Sequence, residues 1–199
     1  MSRNCRTCLP GITYHTMSRC IETKPLMRQK TMKYLMINII QQAMEKYTFQ
    51  LIAYTIMDNH FHFFIRTVQG GETISRIMQF IKSQFARRFN QITGRTGPFW
   101  NERFKDTMIE FSSDPVKLFF FILFYILYNP VRSKVVKDPR LYAFGSINAY
   151  LDENYKSPVK ITLHPYFISL GKTFKERVGK FLEMEEMYRK RLFPDVLFS

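Results

Sequence analysis

The chain has 199 residues, 46% of them hydrophobic and 20 of them Phe. That is ample for one packed domain with a small appendage, and it excludes disorder as the main state. Its 30 Lys and Arg against 16 Asp and Glu leave a net charge of +14, which points to a polyanionic partner, nucleic acid ahead of an acidic membrane surface.

Three cysteines, Cys5, Cys8 and Cys20, make no disulfide framework, and no signal peptide is visible. Cys5 and Cys8 with His15 and Cys20 fit no strong zinc template. The most apolar run, Leu118–Tyr128, is too short to cross a bilayer and reads as a buried helix. A reducing, bacterial-type cytoplasm is the expected compartment, with no membrane partner.

Gly11–Cys20 alternates and is rich in β-formers, so it reads as a first strand. His15 lies on it and is read as structural rather than as a ligand. After Pro25, the segment Arg28–Tyr47 places Met32, Leu35, Met36, Ile39, Ile40, Ala43 and Met44 at helical spacing. Phe49–Met57 and His60–Thr67 then form a hairpin about the polar pair Asp58-Asn59. Side chains two apart on a strand share a face, so His60 and His62 project together while Phe61, Phe63 and Ile65 point the other way. Two neutral imidazoles on one face can grip a metal ion; they can equally be two half-exposed residues of an ordinary strand.

Thr73–Ile92 returns to helical period, burying Ile74, Ile77, Met78, Ile81, Phe85 and Phe89. Its other faces carry Arg76, Lys82, Arg87 and Arg88, with no acid between Glu72 and Glu102, and read as a phosphate-facing surface. The loop Gly94–Trp100 adds Arg95, and its Phe99 and Trp100 either stack on bases or pack over the sheet. Glu102–Phe111, with Arg103 and Lys105, reads as a fourth strand. Ser113 or Asp114 caps a helix with Pro115 at its start, which stops before Pro130.

The order β-α-β-β-α-β-α gives an α+β fold: a ferredoxin-like antiparallel sheet with an added helix. Beyond Val136 a short helical piece is expected around Ser146–Glu153, and a basic amphipathic helix from Lys172 to Leu192, with Phe174, Val178, Phe181, Met184 and Tyr188 in register.

On the added helix Tyr125 and Asn129 stand four apart and so share a face. If that face meets His60 and His62, Asn129 supplies an oxygen as third ligand and Tyr125 sits one turn away. A divalent metal so held keeps open positions and could polarise a phosphodiester while the tyrosine oxygen attacks. A tyrosine in so aromatic a helix can also be plain core.

With these residues in place, MDNHFHFFI resembles the M-P-N-H-x-H signature of the HUH single-tyrosine transposases of IS200-like type. FYILYNPVRSKVV resembles that family's Y-I-x-x-N-P-V-R-A-G-L-V helix end. The segments GITYHTMSRC, ISRIMQFIKSQFARRFN, RTGPFWNERFKDTMIE and DPRLYAFGSINAY are similar to its REP-associated tyrosine transposase branch. The resemblance covers roughly residues 6–152, implying a catalytic domain there and a basic helical tail over 153–199.

The resemblance implies His60 and His62 as the metal pair, Asn129 as third ligand and Tyr125 as nucleophile, with Mg2+ or Mn2+. It implies cleavage of single-stranded DNA beside a hairpin through a 5′-phosphotyrosine, with rejoining by a free 3′-OH, in a monomer or homodimer. Arg76, Lys82, Arg87, Arg88, Arg95, Arg103 and Lys105 are the expected phosphate contacts. The chain departs from the pattern at Asp58 (proline in the family), Leu127-Tyr128 and Ser133-Lys134 (Ala-Gly in the family). Asp58 could change the turn or put an acid near the metal. A non-catalytic, domesticated binder of structured single strands and a nuclease without a covalent step are the alternatives.

Overall fold

The computed structural model describes residues 8–192. Its first half runs β1 (Thr13–Arg19), α1 (Lys30–Lys46), β2 (Phe49–Ile56), β3 (His60–Thr67), α2 (Ile74–Thr93) and β4 (Lys105–Met108). The four strands form one antiparallel sheet in the order β2-β3-β1-β4, as the split βαβ pattern predicts. The fourth strand is shorter than Glu102–Phe111, because its ladder with β1 extends only from Lys105 to Met108.

Alternation along the strands makes two unlike faces. One carries Tyr14, Tyr54, Phe61, Phe63 and Ile65, and α1 and α2 bury it with Met36, Ile40, Ile77, Ile81 and Phe85. Phe99 is buried there too, its ring packed edge-on against Phe85, Phe89 and Trp100. The Trp100 indole donates to the Lys82 carbonyl. Of the two readings of this loop, packing over the sheet is the one observed.

The other face carries His15, His60, His62 and Phe64. It is covered by α3 (Pro115–Leu127), whose Phe119, Leu123 and Phe124 join Phe64 and Ala53 in a second core. Asp114 caps α3 by accepting from the Lys117 amide. A one-turn helix, α4 (Asn129–Arg132), follows directly. The chain then passes through short 3-10 turns at Pro139–Leu141 and Ile147–Tyr150, and through α5 (Pro165–Ile168), to α6 (Phe174–Leu192). Among the described residues no helix is long and apolar enough to cross a membrane.

The break between α3 and α4 has a local cause. Pro130 has no N–H to offer the Ile126 carbonyl one turn back, so that carbonyl is left without its helical donor. Thr55 on β2 takes over, its hydroxyl donating to Ile126 O at 2.7 Å. The helix end is thereby pinned to the sheet. Thr55→Val should cost about 1–3 kcal/mol, the cost of an orphaned buried carbonyl. Thr55→Ser should recover most of that in urea melts, and equal stability of the Val variant would show the pin to be idle.

Past Arg132 the chain turns back through Lys134, whose φ of 56° is in the left-handed region. Lys134 N donates to Val131 O and Val135 N to Pro130 O, the two bonds of a Schellman stop. The related motif has glycine there, the residue that adopts this conformation without strain.

On the outer side of α3, the Phe124 ring lies 4.8 Å from Phe181 and 5.5 Å from Tyr188 of α6. Tyr128 donates to Glu185 Oε1 at 2.5 Å, and Arg140 Nη2 lies 2.6 Å from Glu185 Oε2. That pairing lets a carboxylate occupy a position only 3% exposed.

Candidate active site

His60 and His62 enter this site from β3, and the pairing of Met17 with His62 brings His15 of β1 onto the same face. Asn129, 6% exposed, reaches down from the start of α4. Its Oδ1 lies 3.0 Å from His60 Nε2, and its Nδ2 3.2 Å from His62 Nε2. Tyr125, one turn earlier on α3, sets its ring edge-on to His62 at 5.3 Å and to His15 at 5.8 Å. Arg132 lays its guanidinium over the Tyr125 ring, 4.9 Å from the centroid. The fold thus gathers His60, His62, Tyr125 and Asn129, and the sharing of a face by Tyr125 and Asn129 survives the break at Tyr128.

The turn before His60 is fixed from the opposite side of the sheet. Lys33 of α1 donates to Asp58 Oδ1 at 2.7 Å and to the Tyr142 hydroxyl at 3.0 Å. Burial pushes the Lys33 ammonium down, but these partners outweigh it and its pKa is raised. Asp58, which stands where the related motif has proline, is therefore turned toward α1. Asn59 in turn places Oδ1 2.6 Å from His60 Nδ1 and donates to the Thr23 carbonyl.

All three imidazoles are held toward the neutral form that can ligate a metal. Burial lowers His60, against the opposing pull of the Asn129 amide oxygen. Burial holds His62 well below the ordinary histidine range, with the neighbouring His15, His60, Arg19 and Arg132 adding to the effect. Burial takes His15 down to about 4.

The donor set fits a cation. His60 faces an amide oxygen at each nitrogen, Asn59 Oδ1 and Asn129 Oδ1, yet a neutral imidazole carries a single N–H. One contact therefore sets lone pair against lone pair unless a positive charge lies between. With His60 Nδ1–H given to Asn59, Nε2 and Asn129 Oδ1 are two lone pairs 3.0 Å apart that a divalent cation would bridge. Among the described residues no group of three or more His, Cys, Asp and Glu is arranged to hold a metal; this set reaches three donors only through the Asn129 amide.

The basic residues singled out in the sequence lie elsewhere. Arg76, Lys82, Arg87 and Arg88 are on α2, beneath the sheet face opposite the histidines. Arg87 donates to Gln84 and Arg88 to Gln42 of α1. Lys82 Nζ donates to the Glu102 carbonyl and Arg95 to that of Pro98. Arg103 is exposed, and Lys105 pairs with Glu102 at 3.3 Å on the edge strand. The cations whose charge reaches His62 are instead Arg19, paired across the ladder with His60, and Arg132, three residues after Asn129; hydrophobic periodicity marks neither. Of the rejected zinc set, Cys5 lies outside the described residues. Cys8 contacts the Ser75 hydroxyl at 3.1 Å and Cys20 is buried in the other core.

A family model for IS200-like transposases matches residues 8–116, more than half of the chain. The chain belongs to the IS200-like transposase family. The matched span includes His60 and His62 and ends before Tyr125. Among solved structures, a REP-associated tyrosine transposase bound to a REP hairpin is similar over 82% of this chain and 94% of its own, at 21% identity and a TM-score of 0.62. A protein of Deinococcus radiodurans R1, provisionally described as a transposase, matches 54% of this chain and 83% of its own, at 17% identity and a TM-score of 0.36. No curated protein matches. The first of these shares the fold.

Proposed function

We propose that this IS200-like transposase cleaves and rejoins single-stranded DNA beside hairpin-forming repeats, with Tyr125 as nucleophile. His60, His62 and Asn129 would hold Mg2+ or Mn2+. One observation carries the reading: Asn129 is within 3.2 Å of both imidazoles while Tyr125 stands one turn away on the same helix face. The hairpin bound by the structurally similar REP-associated enzyme supports the choice of substrate.

The Tyr125 hydroxyl gives up its proton and its oxygen attacks the phosphorus; the new O–P bond replaces the P–O3′ bond, and the 3′ oxygen leaves as a hydroxyl. A divalent cation in the donor set would draw charge from the phosphate oxygens as the attack proceeds. Arg132 holds the aromatic ring from above and would bring its positive charge to a phosphate attacked by Tyr125. His62 and Asn129, both nearly buried, keep the donors in place. Because α3 covers its own sheet and is pinned by Thr55, one chain supplies all four residues, which supports a monomer competent to cleave.

The test is a 5′- or 3′-labelled oligonucleotide with a hairpin and a single-stranded flank, incubated with Mn2+ and run on a denaturing gel. The expected product is protein attached to the 5′ end of the downstream fragment, lost with EDTA and in His60→Ala. Protein-free 5′-phosphate products would overturn the tyrosine step in favour of water attack. Tight hairpin binding with no cleavage in any divalent metal would make the protein a binder.

A further inference from the structure

We propose that His15 is a positioning residue that fixes His62 in the tautomer whose Nε2 carries the lone pair and faces Asn129. The inference rests on the metal site proposed above and extends it to a residue on a different strand, 45 positions before His60.

The strand register makes the contact. Met17 pairs with His62 and His15 with Phe64, so His15 and His62 are diagonal neighbours on one face. His15 Nε2 lies 2.9 Å from His62 Nδ1. The two rings are 24° from coplanar with centroids 5.1 Å apart. With the two nitrogens so close, that separation means the rings meet edge to edge, the orientation in which an imidazole N–H points along its donor direction.

The direction of this bond follows from the other end of His62. Asn129 Nδ2 has only hydrogens to offer, and it stands 3.2 Å from His62 Nε2. Nε2 is therefore the bare nitrogen and Nδ1 carries the proton, which it donates to His15 Nε2. A ligating histidine whose second nitrogen is held by an outer partner is oriented and made more basic by it. His60 has such a partner in Asn59, next to it in the chain; His15 serves His62 from across the sheet. The His15 ring also meets the Tyr125 ring edge-on, so the same side chain sets the spacing between ligand and nucleophile.

Two readouts test the inference on the full chain. In the metal-free wild type, long-range 1H–15N spectra of the imidazoles should show His62 as the Nδ1–H tautomer, and His15→Phe should weaken that preference to a mixture in which only Asn129 still favours Nδ1–H. Mn2+ titration followed by electron paramagnetic resonance should show affinity about 10- to 100-fold weaker in His15→Phe. His15→Gln, which restores an acceptor, should recover most of it, and hairpin affinity should not move in either variant. Finding His62 as Nε2–H in the wild type overturns the role of His15, and that measurement needs neither metal nor a folded variant. Unchanged Mn2+ affinity in His15→Phe also overturns it, and leaves the metal site standing. Absence of His60-dependent Mn2+ binding in the wild type overturns the proposed function itself, while the tautomer spectrum still decides what His15 does to His62.

Discussion

Tyr125→Phe is expected to lower formation of the covalent protein–DNA adduct by at least about 10⁴-fold while leaving hairpin affinity within about twofold. That loss corresponds to about 5.5 kcal/mol of transition-state stabilisation. The substitution is unusually clean here because the ring itself packs edge-on to His62 and His15 and beneath Arg132. Phe preserves all three. The neighbouring tyrosine cannot stand in. Tyr128 is 2% exposed and its hydroxyl is committed to Glu185, with burial and then the Glu185 carboxylate pushing its pKa far up. A gel in which the Phe variant still carries covalently attached DNA would remove Tyr125 from the mechanism. Loss of hairpin binding in step with the adduct would mean that the variant had disturbed the fold rather than the chemistry.

What could be read from the chain beforehand was what short-range periodicity encodes. Spacing of two on β3 placed His60 and His62 on one face, and spacing of four placed Asn129 over Tyr125, because strand and helix geometry are fixed by the backbone. The order of elements also gave an antiparallel sheet with α1 and α2 on one face, without saying which.

The rest depended on pairings between distant residues. His15 becomes the partner of His62 only through the β1–β3 register, which no local window contains. Asp58 looked free to approach a metal, yet a lysine 25 residues earlier in the sequence claims it. Glu185 interrupts an apolar register and was passed over, but Tyr128 and Arg140 make its burial tolerable. The basic stripe of α2 was legible as a stripe. Periodicity gave its exposed side, but could not say that the helix would lie on the sheet face opposite the histidines, where any phosphate it contacts is remote from Tyr125.

The metal-free protein should lose stability steeply as pH falls from about 6.5 toward 5. The chain has four histidines, and all four are lowered in the fold. His15 and His164 come down to about 4 through burial, His62 lies well below its ordinary value, and His60 is lowered. A group whose folded pKa is depressed binds fewer protons folded than unfolded when it is a base. The stabilisation is therefore complete above about pH 7 and is withdrawn as the unfolded chain takes up protons below about 6.5.

Four protons would give a limiting slope of about 5 kcal/mol per pH unit. His15 and His60 are only half-buried, so solvent screening reduces this to about 2–3 kcal/mol per unit. Against a total stability of about 5–15 kcal/mol, unfolding should set in between about pH 4 and 5.5. Urea melts in EDTA at successive pH values measure the slope. His164 isolates one contribution away from the metal donors. Its Nδ1 accepts from the Tyr166 amide at 3.2 Å, its Nε2 lies 3.1 Å from the Thr13 hydroxyl, and its ring stacks on Phe119 at 4.4 Å. Protonation of Nδ1 breaks the Tyr166 bond and puts a charge against Phe119. His164→Gln should flatten the slope by about one proton, or about 1.4 kcal/mol per pH unit. A stability profile level from pH 7.5 to 5 would mean that these histidines exchange protons as freely in the folded chain as in the unfolded one, and that the site is wetter than its packing implies.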